Sequence, residues 1–237
     1  MCYLSFFLVL LSCLLYTESF SLRNQIRLNR WTLNSSKFLA NEDYISHVKQ
    51  HLKKPIFLVG MMGSGKTTVG KELAKTLGFK FVDTDAVATT KINTSISSYF
   101  ECGRESDFRL VETQILQNFS NETNTIVSTG GGIVVREENR NIMRKGLMVY
   151  LNVPPTVIYN RLTANVEEIS RRPLLRSTNP EDAQSSFVGI FNKRKELYEQ
   201  AQIILDLSDQ NITISETVER LLKMIFEYNT DQTSQYL

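Results

Sequence analysis

Three cysteines are all that the chain holds, and two of them, Cys2 and Cys13, sit in an apolar leader. That leaves Cys102 alone in the body, so neither an internal disulfide nor a CxxC metal site is available there. A buried or half-buried thiol in a reduced compartment is the plain reading. Charge of either sign is also scarce in net terms. The whole chain carries only +2, too little to imply a nucleic-acid partner, and the excess lies in residues 1–41, where Arg23, Arg27, Arg30 and Lys37 face a single acid, Glu18. The body is therefore close to neutral. No apolar run reaches the roughly 20 residues that span a bilayer, and the chain shows neither an internal repeat nor a low-complexity tract. With 42% hydrophobic and 22% charged residues, it has the composition of a globular protein with one well-buried domain.

What is present begins with periodicity. Short apolar runs at Ile56–Val59, Lys80–Val82, Thr125–Ser128, Leu147–Leu151 and Ile203–Leu205 read as five strands. Most lack polar alternation, as expected of strands covered on both faces. Helical spacing lies between them, with Val69, Leu73 and Leu77 at i, i+4, i+8 and Phe108, Val111 and Ile115 at i, i+3, i+7. Gly78 is placed to close the first of these helices. A last helix is expected near Ile214–Phe226, followed by a polar tail from Asn229 to Leu237. Alternating strands and helices predict an α/β fold of three layers, helices on both sides of a central five-stranded parallel sheet. Ligands in such folds bind beyond the carboxyl ends of the strands.

The residues from Gly60 to Thr67 read GMMGSGKT, matching GxxxxGK[ST] at every fixed position. An apolar strand precedes the segment and an amphipathic helix follows it, which is the setting this phosphate loop requires. Gly63, Ser64 and Gly65 let backbone N–H groups turn towards phosphate oxygens, with Thr68 continuing into the helix. Lys66 is predicted on the β- and γ-phosphates of ATP and Thr67 on Mg2+. No NKxD segment is present to read guanine, and no later apolar run ends in an acidic pair. The metal-supporting acid must come from elsewhere, and Asp83-Thr84-Asp85 supplies it at the end of the second strand. On an extended chain, spacing of two puts both carboxylates on one side. Asp83 is the candidate for the metal and Asp85 for a substrate hydroxyl; a helix N-cap is the structural alternative for either.

Taken in order, the phosphate loop, Asp83-Thr-Asp85, Glu105-Ser-Asp-Phe-Arg109, Gly130-Gly-Gly132, Arg172-Pro-Leu-Leu175, and Arg194 four residues before Tyr198 resemble the shikimate kinase family over Lys54 to Phe226. The resemblance implies transfer of the γ-phosphoryl group of ATP to the 3-hydroxyl of shikimate. It implies that Arg109 and Arg194 hold the shikimate carboxylate, that Asp85 meets the ring hydroxyls and takes part in catalysis with Lys66, and that Gly130, Gly131 and Gly132 approach the substrate. Residues 165–179 resemble the family's mobile lid, from which Arg172 would close on the phosphates, and the resemblance sets Arg161 along the adenine. Shikimate is the one partner expected, with neither nucleic acid nor membrane, and the mature form is expected to be a monomer. One departure stands out: Arg104 occupies a position where the family usually has glycine, with Gly103 just before it. If the turn needs a positive φ at 104, arginine would strain it. A different small-molecule kinase, such as a gluconate kinase, and a non-catalytic nucleotide-binding regulator are the competing readings. The latter would have lost Lys66, Asp83 or Asp85, and all three are present.

The leader reads in two parts. Residues 1–19 contain the apolar run Leu4–Tyr16, of signal-peptide length; residues 20–50 are rich in Arg and Ser with no acid before Glu42. The pair resembles the bipartite leaders of proteins bound for plastids with extra membranes, with Phe20 at the junction. A plain secretory signal or an uncleaved anchor is the alternative. The kinase domain is expected over residues 51–228 and the polar tail over 229–237.

Overall fold

In the computed structural model the described residues are 41–164 and 180–234. The leader's two parts, as far as residue 40, and the lid-like segment with Arg171, Arg172 and Arg176 fall outside them.

Five strands, β1 (Ile56–Val59), β2 (Lys80–Asp83), β3 (Thr125–Ser128), β4 (Leu147–Asn152) and β5 (Ile203–Asp206), form one sheet in the order β2-β3-β1-β4-β5. Every pairing is parallel, with Phe57 opposite Val127 and Met148 on its two sides. The three inner strands are buried nearly end to end, while β2 and β5 at the edges alternate with exposed positions. That difference explains why the inner strands read as unbroken apolar runs.

Alternate residues of the sheet feed two cores. Ile56, Leu58, Val149 and Leu151 point into one; Phe57, Val59, Val127, Met148 and Tyr150 point into the other. The first is completed by helices α1 (Asn41–His51), α2 (Lys66–Leu77), α7 (Pro155–Thr163), α8 (Pro180–Tyr198) and α9 (Ile214–Ser234). The second lies under α5 (Glu105–Phe119) and α6 (Glu137–Lys145). A smaller third core, around Tyr99, Phe108 and Ile115, joins α5 to α3 (Thr84–Ile92) and α4 (Ile96–Glu101). Val69, Leu73 and Leu77 are buried as their spacing requires, and Gly78 caps α2 at φ +65°.

Three local expectations are corrected. Among the described residues, packed structure is already present from Asn41, ahead of 51: Val48 and Leu52 are fully buried and Tyr44 and His47 pack on Phe226. The last helix runs on to Ser234, through most of the expected polar tail, with Asn229 only 9% exposed. At the Gly103–Arg104 turn, the positive φ of +71° falls on Gly103, and Arg104 sits at φ −96° without strain. The arginine lies over the Tyr99 ring at 4.3 Å and donates to Asp107.

The burial of α1 gives a direct prediction. Each fully buried Val or Leu side chain stabilises by about 1.5–3 kcal/mol, so a body starting at Lys53 should lose roughly 4 kcal/mol against one starting at Asn41. At about 2–4 °C per kcal/mol for a domain of this size, its thermal midpoint should fall by about 8–16 °C. Equal melting of the two bodies would show that α1 adds nothing to the fold.

Candidate active site

The loop between β1 and α2 wraps around the Lys66 side chain. Its ammonium donates to the carbonyls of Gly60 at 3.0 Å and Met61 at 2.8 Å and to Ser64 Oγ at 3.4 Å. Gly63 and Gly65 take φ values of +79° and +92°, conformations L side chains rarely adopt. A Cβ at Gly63 would also overlap Ile158 and Leu162 at 2.9 Å. Gly65 caps α2 without a side-chain acceptor, so the first N–H groups of that helix remain for a ligand.

This loop forms one side of a cleft of about 570 Å3. Arg161 at the end of α7, the loop after β5 with Asp209, Gln210 and Ile212, and Asp83, Asp85 and Gly131 line the rest of it. The β5 loop was not singled out from sequence. Its available signal is position alone, since it leaves the carboxyl end of a strand next to the phosphate loop.

Asp83 takes the N-cap role that was its structural alternative, and its other oxygen meets the phosphate-loop threonine. Its Oδ1 accepts from the N–H groups of Asp85 and Ala86 and so caps α3, while its Oδ2 accepts the Thr67 hydroxyl at 2.8 Å. The chain is not extended across Asp83-Thr-Asp85: the strand ends at Asp83, and Asp85 belongs to the first turn of α3. The intervening Thr84 is buried, and its hydroxyl accepts the N–H of Gly130 at 3.1 Å.

Glycines 130–132 leave the end of β3 between charged side chains, and their lack of Cβ is what makes room. A Cβ at Gly130 would lie 2.5 Å from Asp85 Oδ1 and 3.1 Å from Glu112 Oε1, and one at Gly132 would collide with the Arg109 guanidinium. Arg109 itself is gripped at 2.7 Å by both Glu112 and Glu105. Glu112 is 1% exposed; burial pushes its carboxyl up, Arg109 opposes that, and Asp85 adds to it. Burial alone would lower Arg109, but the two glutamates outweigh it and raise it above the ordinary guanidinium range. From α8, Arg194 donates to the Gly131 carbonyl at 3.2 Å and Tyr198 donates to the same oxygen at 2.6 Å.

A pocket for phosphates thus adjoins a second wall that combines two guanidiniums with a carboxylate across a glycine turn. The family model described as shikimate kinase matches residues 62–226. The chain belongs to the shikimate kinase family. A shikimate kinase of Synechococcus sp. (strain CC9605) is 36% identical over 179 residues, covering 75% of this chain and 87% of that protein. Among solved structures, the shikimate kinase of Bacteroides thetaiotaomicron superposes with a TM-score of 0.67 at 31% identity, covering 73% of this chain and 98% of that one. The Acinetobacter baumannii shikimate kinase in complex with shikimate superposes at 0.64 and 30% identity, covering 79% and 98%. As a member of the shikimate kinase family the chain has the expected parallel five-stranded α/β fold and is a phosphotransferase with an alcohol acceptor. Glu112 and Thr84 were missed from sequence, although Glu112 stands at helical spacing from Phe108, Ile115 and Leu116, which was the available signal of its burial; a threonine between two aspartates carries none.

Proposed function

We propose that the chain transfers the γ-phosphoryl group of ATP to the 3-hydroxyl of shikimate, giving shikimate 3-phosphate and ADP. The observation that carries this reading is the second wall: Arg109 and Arg194 converge on Gly131–Gly132 with Asp85 beside Gly130. Shikimate is a carboxylate bearing three hydroxyls, so it needs cations at one end and an acceptor at the other. Guanidiniums grip carboxylates bidentately, and Asp85 accepts from a hydroxyl. Gluconate is also a hydroxylated carboxylate, and what favours shikimate over it is membership of the shikimate kinase family over residues 62–226.

Lys66, the first turn of α2 and Ser64, Gly65 and Thr68 hold the phosphates, with Arg161 towards the base. Thr67 and Asp83 would hold Mg2+, since their oxygens lie 2.8 Å apart at the cleft wall and oxygen donors suit that ion. No trio of His, Cys, Asp or Glu gathers among the described residues, which fits a metal shared with the nucleotide. Bound there, Mg2+ offsets negative charge on the phosphates.

In the transfer, the 3-hydroxyl oxygen bonds to the γ-phosphorus as the bond to the β,γ-bridging oxygen breaks. The electron pair leaves with ADP, and Asp85 orients the hydroxyl and takes its proton. Lys66 and, from the lid-like segment, Arg172 neutralise charge that builds on the transferring group. Positioning supplies much of the rest.

The two-part leader and the cyanobacterial relatives support a plastid destination. No helix among the described residues is long and apolar enough to cross a membrane. The working unit is taken as a monomer.

The test is ADP release by the purified full-length chain with and without shikimate. Turnover that rises with shikimate and saturates is expected; a rate indifferent to shikimate would sink the assignment.

A further inference from the structure

The glycine turn that receives the acceptor is made of residues with little conformational preference of their own. A Gly–Gly peptide rotates at low cost, so something else must fix which way it faces. Thr84 holds one end of the turn through the Gly130 N–H. The other end hangs on the Gly131 carbonyl, which takes Tyr198 Oη at 2.6 Å and Arg194 Nη1 at 3.2 Å.

The peptide unit is planar and trans, so fixing that carbonyl also aims the Gly132 N–H to the opposite side. Gly132 is buried and lies flush against the Arg109 guanidinium. Among the described residues, neither Gly131 nor Gly132 gives its N–H to a protein acceptor.

Tyr198 is well built to hold this peptide. It is fully buried, and its ring stacks on Tyr150 of β4 at 5.2 Å and 18°, in the middle of the second core. The anchor is therefore the sheet and not a mobile helix end. Burial raises the hydroxyl to about 12, with Arg194 pulling the other way, so it keeps its proton and stays a donor throughout the working pH range. Arg194 cannot substitute for it, because the guanidinium has a second task at the acceptor.

We infer that Tyr198 is a positioning residue for the acceptor: through the Gly131 carbonyl it holds the Gly131–Gly132 peptide in the orientation that receives shikimate. This rests on the functional reading above. Removal of one oxygen leaves the ring and the stack in place and takes from Arg194 only the hydroxyl beside it, the carbonyl they share remaining.

The experiment compares Tyr198→Phe, Tyr150→Phe and wild type in the full chain, reading kcat and the KM of each substrate. Tyr198→Phe should raise the shikimate KM about tenfold, the fold-change of one lost hydrogen bond to a half-satisfied buried carbonyl. The KM for ATP should stay within about twofold and kcat within about threefold. Tyr150→Phe removes the other hydroxyl of the same stack, which donates to Asn152, and should leave the shikimate KM unaltered. Replacing Tyr198 with 4-aminophenylalanine, which keeps a donor at the end of the ring, should restore the KM, and it carries the test should the Phe variant fold poorly. A Tyr198→Phe enzyme with wild-type shikimate KM, or one in which both KM values rise together, overturns the positioning role and leaves the functional reading intact. A wild-type chain without shikimate-dependent turnover overturns both.

Discussion

Lys66→Ala should reduce kcat about a thousandfold while the fold survives. Removing one preorganised donor from a site that stabilises a developing anion costs about 10^2–10^3 in rate, and Lys66 supplies a full charge as well as hydrogen bonds. Its ammonium also ties the phosphate loop together from inside, through two carbonyls and a hydroxyl. The loop should therefore open locally, and affinity for ATP should weaken along with turnover. Substitution by arginine should not recover activity, because the planar fork cannot occupy the place of a compact ammonium enclosed by the loop. Steady-state ADP release and calorimetric titration with nucleotide read both effects. Turnover within tenfold of wild type would mean that the lysine organises the loop and does not act on the transferring phosphate.

Arg109→Ala should raise the shikimate KM at least about a hundredfold, the scale of a lost charge-assisted bidentate contact, with ATP binding almost unaffected. The variant carries a second defect. Glu112, 1% exposed, loses the partner that compensates its burial, and breaking a buried pair from one side costs about 3–5 kcal/mol. The sign with pH follows from the upward shift of that carboxyl. A glutamate whose folded value lies above its unfolded one penalises the fold once it must ionise. The deficit should therefore be full at neutral pH and fade as pH falls through the carboxylate range. Adding Glu112→Gln should restore most of the thermal stability and none of the shikimate affinity. If the double variant regained substrate binding, Arg109 would be acting only as a counter-ion to Glu112. If Arg109→Ala weakened ATP alone, the division of the cleft into donor and acceptor walls would be wrong.

The phosphate loop was legible because every one of its constraints is local: glycines where φ is positive, a lysine and a threonine at fixed distances along the chain. The inner strands were legible because burial on both faces confines Thr125, Ser128 and Asn152 to their ends and leaves apolar residues between. Asp83 is the N-cap that its position before a helix allowed, and its second oxygen reaches Thr67, a contact that no local pattern announces. What stayed hidden depends on distance in sequence. Glu112 looks like any acid of an amphipathic helix until the glycine turn closes over it, and nothing near Tyr198 announces a carbonyl 67 residues away. The α1 helix was obscured for a different reason: a basic, acid-poor stretch ends only at Glu42, so composition blends it into the leader. Arg104 reads as an offence against a turn until the positive φ is found one residue earlier, where a glycine already stands.

The seat of α1 on α9 joins the first packed element of the body to the last. A chain made from its amino end therefore brings out α1 long before the α9 surface that packs on it exists. Val48 and Leu52 belong to the same core as Leu221 and Ile225, which is complete only when α9 has formed. Contacts so far apart along the chain form late, because the loop between them must be closed first. The first helix of the described body thus has its seat completed by the last one made.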